Sequence, residues 1–387
     1  MYRTMVALLV AALLGAGVGV APTGAQAASK QRSNQERAIA AYTALQRYFY
    51  LGEDGHQLYL EEYPRQAGDN PYSYLWPLRE AAAATIDMAG LRAIGQNYRD
   101  DVLDRLQALA LYWDAAKTPP GYDSYLPPPL GPGGDIYYDD NAVVGLELVR
   151  IYRLTGDPAV LVRARQVFAL LIHGWDDNPP QCPGGIYWTQ GTWYKPIKAT
   201  NVTALSAEFT LHLYELTGDE AYLTWGRRMY EWTRRCMQSP EGLYWNDIDL
   251  EGNINRTLWI YNDGAMIGAG ALLYRLTGDE AYLRQAQRTA EAALRYFGSG
   301  GRLYIQPPIF DAIFFKNLLL LDSVAHDPRY RRAMQAYADE VWRAAYDPST
   351  GLFRFDASRP VQLLEQAAMV QLYAALAWDR REYWWIT

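Results

Sequence analysis

The chain has 387 residues, half of them hydrophobic and a fifth charged, the make-up of a globular protein with a sizeable core. Its net charge is −7, and its 36 Lys and Arg are scattered without a basic run, which excludes nucleic acid as an expected partner. Two cysteines and four dispersed histidines lack metal-ligand spacing, so neither a zinc site nor another cofactor is expected.

The first segment has the form of an export signal. Arg3 supplies the positive start, Met5 to Val20 is apolar, and Ala25-Gln26-Ala27 fits a small-residue cleavage site. No later apolar run is long enough for a second span. The expectation is therefore a signal peptide over 1–27 and a secreted monomer without a membrane anchor, its single domain filling 28–387. Beyond the signal, apolar residues at i, i+3 and i+4 predict helices near 34–50, 75–90, 98–116, 139–154, 158–173, 200–216, 220–237, 262–276, 280–297, 310–323, 328–345 and 363–378. The first, third and every second one after them carry Arg, Glu and Gln on one face, as outer helices do. Those between are rich in Ala, Gly and Leu, as buried inner helices are.

One phrase returns between them. Leu154-Thr155-Gly156-Asp157, Leu216-Thr217-Gly218-Asp219 and Leu276-Thr277-Gly278-Asp279 join an inner helix to the next outer one, and His326-Asp327-Pro328 is a weaker echo. Gly ends one helix in the left-handed conformation and Asp caps the start of the next. The opposite connections are long and hold the Pro, Gly, Trp and Tyr: 118–134, 178–200 and 239–261. Six alternations of outer and inner helix, with short and long loops alternating, predict an all-α protein, an (α/α)6 toroid of six helical hairpins. A helical solenoid is the structural alternative. Long structured loops tend to be functional, and all of these fall where the inner helices begin.

That end of the ring concentrates polar and aromatic residues. Asp139-Asp140, Thr200-Asn201, Asn262-Asp263 and Phe310-Asp311 lie at matching distances before their turns, with Trp76 and Glu365 opening the first and last inner helices. Asp near a helix start suits a cap and the helix dipole. Two adjacent carboxylates also repel, so that one holds its proton while the other stays ionised, the division of labour that glycosidic bond cleavage requires. Asp247 and Asp249 are rival carboxylates, without the spacing of an EF-hand loop. Asp176-Asp177 reads as a solvated turn. Cys182 and Cys236 could pair in an oxidising compartment, which the sequence leaves open.

Tyr138-Asp139-Asp140-Asn141-Ala142, Gly184-Gly185-Ile186-Tyr187-Trp188, Lys198-Ala199-Thr200-Asn201, Trp259-Ile260-Tyr261-Asn262-Asp263-Gly264 and Phe310-Asp311-Ala312-Ile313-Phe314 resemble glycoside hydrolase family 76, the bacterial α-1,6-mannanases. The resemblance spans about 35–380. It implies a retaining mechanism with Asp139 as nucleophile and Asp140 as general acid/base, acting on α-mannan, a polysaccharide or its oligosaccharides. Trp76, Tyr138, Trp193, Tyr261 and Phe310 would then line sugar subsites, and Asn201, Asn262 and Asp263 would bind hydroxyls. Val143 stands where the family usually has Trp, and Asp263 where Gln or Glu is commoner, changes that bear on linkage and subsites. The rival readings are another toroid enzyme, a transglycosylase or unsaturated glycuronyl hydrolase, and a non-catalytic glycan-binding protein. Transfer to an added acceptor would mark the transglycosylase, and binding without turnover the last.

Overall fold

The computed structural model describes residues 32–387, and Ser33–Thr387 form one compact unit. The expected signal segment 1–27 lies outside the described residues. Twelve α-helices are found among the described residues. The inner ones are α2 (Leu75–Ala89), α4 (Tyr138–Thr155), α6 (Thr200–Thr217), α8 (Ile260–Thr277), α10 (Pro308–Ala325) and α12 (Leu363–Ala377). The outer ones are α1 (Asn34–Phe49), α3 (Arg99–Ala110), α5 (Pro158–His173), α7 (Glu220–Met237), α9 (Glu280–Phe297) and α11 (Pro328–Ala345). Each inner helix packs on the next, and α12 packs back on α2, which closes the ring. The sixth hairpin joins the two ends of the unit, because α1 lies against α12.

Sequence and packing agree on which helices go inside. In α8 nearly every residue from Ile260 to Leu273 is buried, so it has no polar face to turn outward. Its glycines let the ring close. A Cβ on Gly264 would sit 2.8 Å from the Phe314 backbone of α10. On α9, by contrast, Ala286, Thr289, Ala290, Ala292, Ala293 and Phe297 are buried, and Arg284, Arg288, Glu291 and Arg295 face solvent.

The repeated phrase works as a double cap. Gly156, Gly218 and Gly278 take φ of +69°, +68° and +73°. Asp157, Asp219 and Asp279 each accept a hydrogen bond from the backbone two residues on. The Thr of the phrase has a part as well: each hydroxyl donates to the last helical turn and accepts from the amide of the capping Asp. At the fourth turn His326 adopts the left-handed conformation (φ +54°), and Asp327 caps.

The long connections carry short strands. β1 (Glu62–Tyr63) pairs with β7 (Val361–Gln362), and β2 (Trp113–Asp114) with β3 (Gly121–Tyr122). β4 (Ile197–Ala199), β5 (Trp245–Asp249) and β6 (Ile254–Leu258) form an antiparallel sheet over the mouth. Two expectations change here. The helix predicted over 98–116 stops at Ala110, because Trp113-Asp114 turn extended and pair with Gly121-Tyr122. The loop 239–261 is largely a hairpin, whose turn is held by Asp249 accepting from the amides of Glu251 and Asn253. Cys182 and Cys236 are joined by a disulfide that ties the loop before α6 to the end of α7.

Because a Cβ at Gly218 or Gly278 would meet open space, Gly→Ala there should cost only the backbone strain of the left-handed residue, roughly 1 kcal/mol. Asp279→Ala should cost about 1 kcal/mol through the lost cap. Urea unfolding of the three variants, beside wild type, measures both.

Candidate active site

At the mouth of the ring Asp139 and Asp140 open α4 in its first turn. Asp139 is held on both oxygens. Oδ1 accepts from the Asp140 amide at 3.0 Å, and Oδ2 accepts from Trp188 Nε1 at 2.9 Å and Asn201 Nδ2 at 2.7 Å. Three donors leave its carboxylate in one orientation and favour the anion. Burial still pushes its pKa up to about 6, with the three hydrogen bonds pulling the other way. Asp140 is held differently: its carboxyl takes no hydrogen bond from any described residue. Burial, then the charges of Asp139 and Glu80, raise it well above the usual carboxylate range, against the pull of the Arg79 guanidinium. Of the two, Asp140 is therefore the harder to ionise.

Two loops deliver the partners. The Trp188 carbonyl accepts from the Tyr138 amide at 2.9 Å, which laces the 174–199 connection to the start of α4, and Tyr137 meets the Trp188 ring edge-on at 5.0 Å. Asn201 comes from the first turn of α6. Opposite stands a wall of half-buried aromatics. Tyr261 and Phe310 stack at 3.9 Å, Trp76 lies nearly parallel to Phe310 at 6.0 Å, and Trp259 meets Phe310 edge-on at 5.5 Å. Trp193 is 58% exposed on the rim, its indole donating to Asp135. Such ring faces suit the apolar faces of sugars.

Three of the expected contacts, Tyr138, Asp263 and Asn262, fall elsewhere. Tyr138 is buried, its ring so close to Gly174 that a Cβ there would be 2.6 Å away, and its hydroxyl accepts from Gln190 at 3.3 Å. It packs the loop beneath the cleft and presents no face to a sugar. Asp263 is fully buried, and its Oδ1 accepts from the Tyr244 amide at 3.0 Å. Its position in the ring explains this. One polar residue in each of four inner helices hooks a backbone amide of the preceding connection: Asn141 takes Tyr122, Thr203 takes Ile186, Asp263 takes Tyr244 and Gln366 takes Phe353. Asn262, one residue earlier, is fully buried with neither amide atom bonded.

The rival carboxylates are held within the β5–β6 hairpin. Asp247 accepts from Asn246 at 2.7 Å and Asn255 at 2.8 Å, and Asp249 holds its hairpin and Lys195. Asp176-Asp177 is more than a solvated turn. Asp176 accepts from the Tyr187 hydroxyl and the Asn178 amide, and Asp177 from Trp175 Nε1 and Arg228. Sequence reasoning passed over Trp188, Arg79 and Glu80 as site residues. Trp188 ends the Gly184-Gly185-Ile186-Tyr187-Trp188 stretch. Arg79, Glu80 and Asp87 are charges in a helix otherwise rich in Ala and apolar residues, which is the available signal.

The chain belongs to glycosyl hydrolase family 76, whose sequence model matches residues 33–377. Among curated relatives, the mannan endo-1,6-alpha-mannosidase of Candida albicans is 28% identical over 189 residues, 45% of this chain and 41% of that protein. Its counterpart from Saccharomyces cerevisiae is 25% identical over 152 residues, 37% and 33% of the two chains. The chain thus spans less than half the length of these curated relatives. Among solved structures, a family 76 mannosidase from Bacteroides thetaiotaomicron superposes with a TM-score of 0.81 at 22% identity, covering 89% of this chain and 98% of that one. An α-1,6-mannanase from a Salegentibacter species, an inactive variant with asparagine at two consecutive aspartates, was solved with α-1,6-mannotriose. Its TM-score is 0.73 at 22% identity, over 89% and 99% of the two chains. These likenesses establish the (α/α)6 toroid.

Asp263 and Asp311 are both fully buried with one oxygen unpartnered, and burial raises both well above the usual range. The folded protein keeps protons that the unfolded chain releases above about pH 4, so stability falls as pH rises, by up to ~1.4 kcal/mol per pH unit per group. Asp263→Asn and Asp311→Asn keep an acceptor for the Tyr244 amide and the Tyr337 hydroxyl respectively. Each variant should lose less stability than wild type between pH 5 and pH 8 in urea unfolding.

Proposed function

We propose that the protein is an exported glycoside hydrolase that cleaves α-1,6-mannosidic bonds of mannan with retention of anomeric configuration. The observation that carries the reading is the unequal treatment of two adjacent carboxyls: three donors on Asp139 and none on Asp140. A nucleophile must be anionic and fixed in direction, whereas a proton donor must be protonated and free to meet the leaving oxygen. Asp139 attacks the anomeric carbon while Asp140 gives its proton to the glycosidic oxygen, and the bond to the leaving sugar breaks. Asp140, now ionised, takes a proton from water, which attacks the anomeric carbon and releases Asp139. Trp188 and Asn201 hold the attacking carboxylate in place through both steps, and Trp76, Tyr261 and Phe310 stack sugar units along the cleft. Family membership and the names of the relatives support mannan as substrate, and the apolar run Met5 to Val20 followed by Ala25-Gln26-Ala27 supports export.

Linear α-1,6-mannan should be cut by the protein from Ala28 onward, with products first appearing as the α-anomer by proton NMR. Initial release of the β-anomer would exclude the retaining assignment. Asp140→Asn should lower turnover by about 10²–10⁴-fold, and Asp139→Asn at least as much. An aryl α-mannoside, whose leaving group needs no proton, should restore the first step to Asp140→Ala and leave Asp139→Ala inactive.

The pH profile follows from the two carboxyls. Activity should rise with pH through about 6 as Asp139 loses its proton, and fall at higher pH as Asp140 loses its own. Asp140→Asn removes the titrating acid, so its residual activity should lack the alkaline fall.

A further inference from the structure

Below the cleft, six charged side chains in the bore of the ring are paired with one another. Arg79 of α2 reaches Glu80 and Glu147 at 2.6 Å each, and Arg150 of α4 binds Glu147 at 2.9 Å and also Asp87. Lys316 of α10 completes the set with Asp87 at 3.0 Å. Glu80 is fully buried at the top of this ladder. Its Oε1 accepts from Trp76 Nε1 at 2.9 Å and from Arg79, and its Oε2 accepts from Gln371 Nε2 at 2.9 Å. Trp76 is the end of the aromatic wall. Arg79 also donates to the Val143 carbonyl at 3.2 Å. Val143 and Glu147 lie three and seven residues past Asp140, on the helix face that carries Asp140. Glu80 is thus joined to both sides of the cleft. Arg79 is shared between two carboxylates, Glu80 and Glu147.

We propose that Glu80 is a positioning residue of the cleft: its carboxylate fixes the Trp76 indole in the aromatic wall and, through Arg79, sets a negative charge beside the face of α4 that carries Asp140. The catalytic meaning of that charge rests on Asp140 being the general acid/base. The charge effect itself does not. The charged and titratable groups that act on Asp140 are Asp139 of its own helix and Glu80 and Arg79 of α2, with Tyr137 beside it in the preceding loop. α6 contributes the neutral Asn201, which is taken by Asp139. Glu80 itself faces Arg79 and the neutral Trp76 and Gln371.

The test reads the proton directly. The infrared C=O stretch of protonated carboxyls is titrated in wild type, and the component lost in Asp140→Asn is assigned to Asp140. In Glu80→Gln, which keeps an acceptor for Trp76 and removes the charge, the Asp140 midpoint should fall by about one pH unit. The alkaline limb of mannan hydrolysis should fall by the same amount. In Glu80→Asp, which keeps the charge and withdraws the acceptor by one methylene, the midpoint should stay. The Trp76 resonance should move instead, read by ¹⁹F NMR of 5-fluorotryptophan-labelled protein and assigned through its loss in Trp76→Phe. An unmoved Asp140 midpoint in folded Glu80→Gln, or equal displacements in the Gln and Asp variants, would overturn the proposal. Should Glu80→Gln not fold, an unmoved Trp76 resonance in Glu80→Asp would overturn it as well. A shifted midpoint with no mannan hydrolysis by wild type would sustain the placement of the charge and remove the proposed substrate.

Discussion

Closure of the inner ring governs most of this structure. Six helices buried nearly all round have no solvent to receive their polar groups, so most of these groups find a partner within the ring or emerge at one end. Along the bore this produces the ladder of Arg79, Glu80, Asp87, Glu147, Arg150 and Lys316, in which each charge has an opposite one in contact. A ladder of this kind adds little net stability, since desolvation offsets attraction. What it provides is order: breaking one pair strands a buried charge, and that penalty holds the inner helices in one register.

At the mouth the same burial creates the chemistry. Free amides at the helix starts favour anions there, while loss of water disfavours them, and the balance differs between neighbours according to who donates to each. Asp139 has three donors and is the easier of the pair to ionise. Asp140 has none and sits above a bore whose nearest cation is already shared. Two chemically identical side chains, adjacent in sequence, thereby come to differ in proton affinity.

The long connections keep this arrangement rigid. Each would be a floppy excursion of some twenty residues, yet in four of them a side chain of the next inner helix hooks one of their amides. The hook at Asn141 holds the Gly121-Tyr122 strand, and the hook at Thr203 holds the segment that delivers Trp188 to Asp139. Positioning of the site therefore depends on residues that no substrate would touch, Asp263 among them.

The alternation of helix types, the double caps and the convergence of inner-helix starts are legible in the chain because they rest on local chemistry. Apolar period, left-handed Gly and Asp caps act within a few residues of themselves. By that route the toroid, and the convergence of Asp139-Asp140, Trp76 and Phe310 on one end of the ring, could be read from the sequence. What the chain by itself left undecided was direction and partner. Tyr138 and Asp263 occupy the right level of the ring but turn away from the cleft, because one fills the space over Gly174 and the other meets the Tyr244 amide. Trp188, Glu80 and the Cys182–Cys236 bond come from segments far apart in sequence, and only the closed ring brings them together. The physical reason is that burial and hydrogen-bond partners, which set both orientation and proton affinity, are properties of the packed interior and not of any one segment.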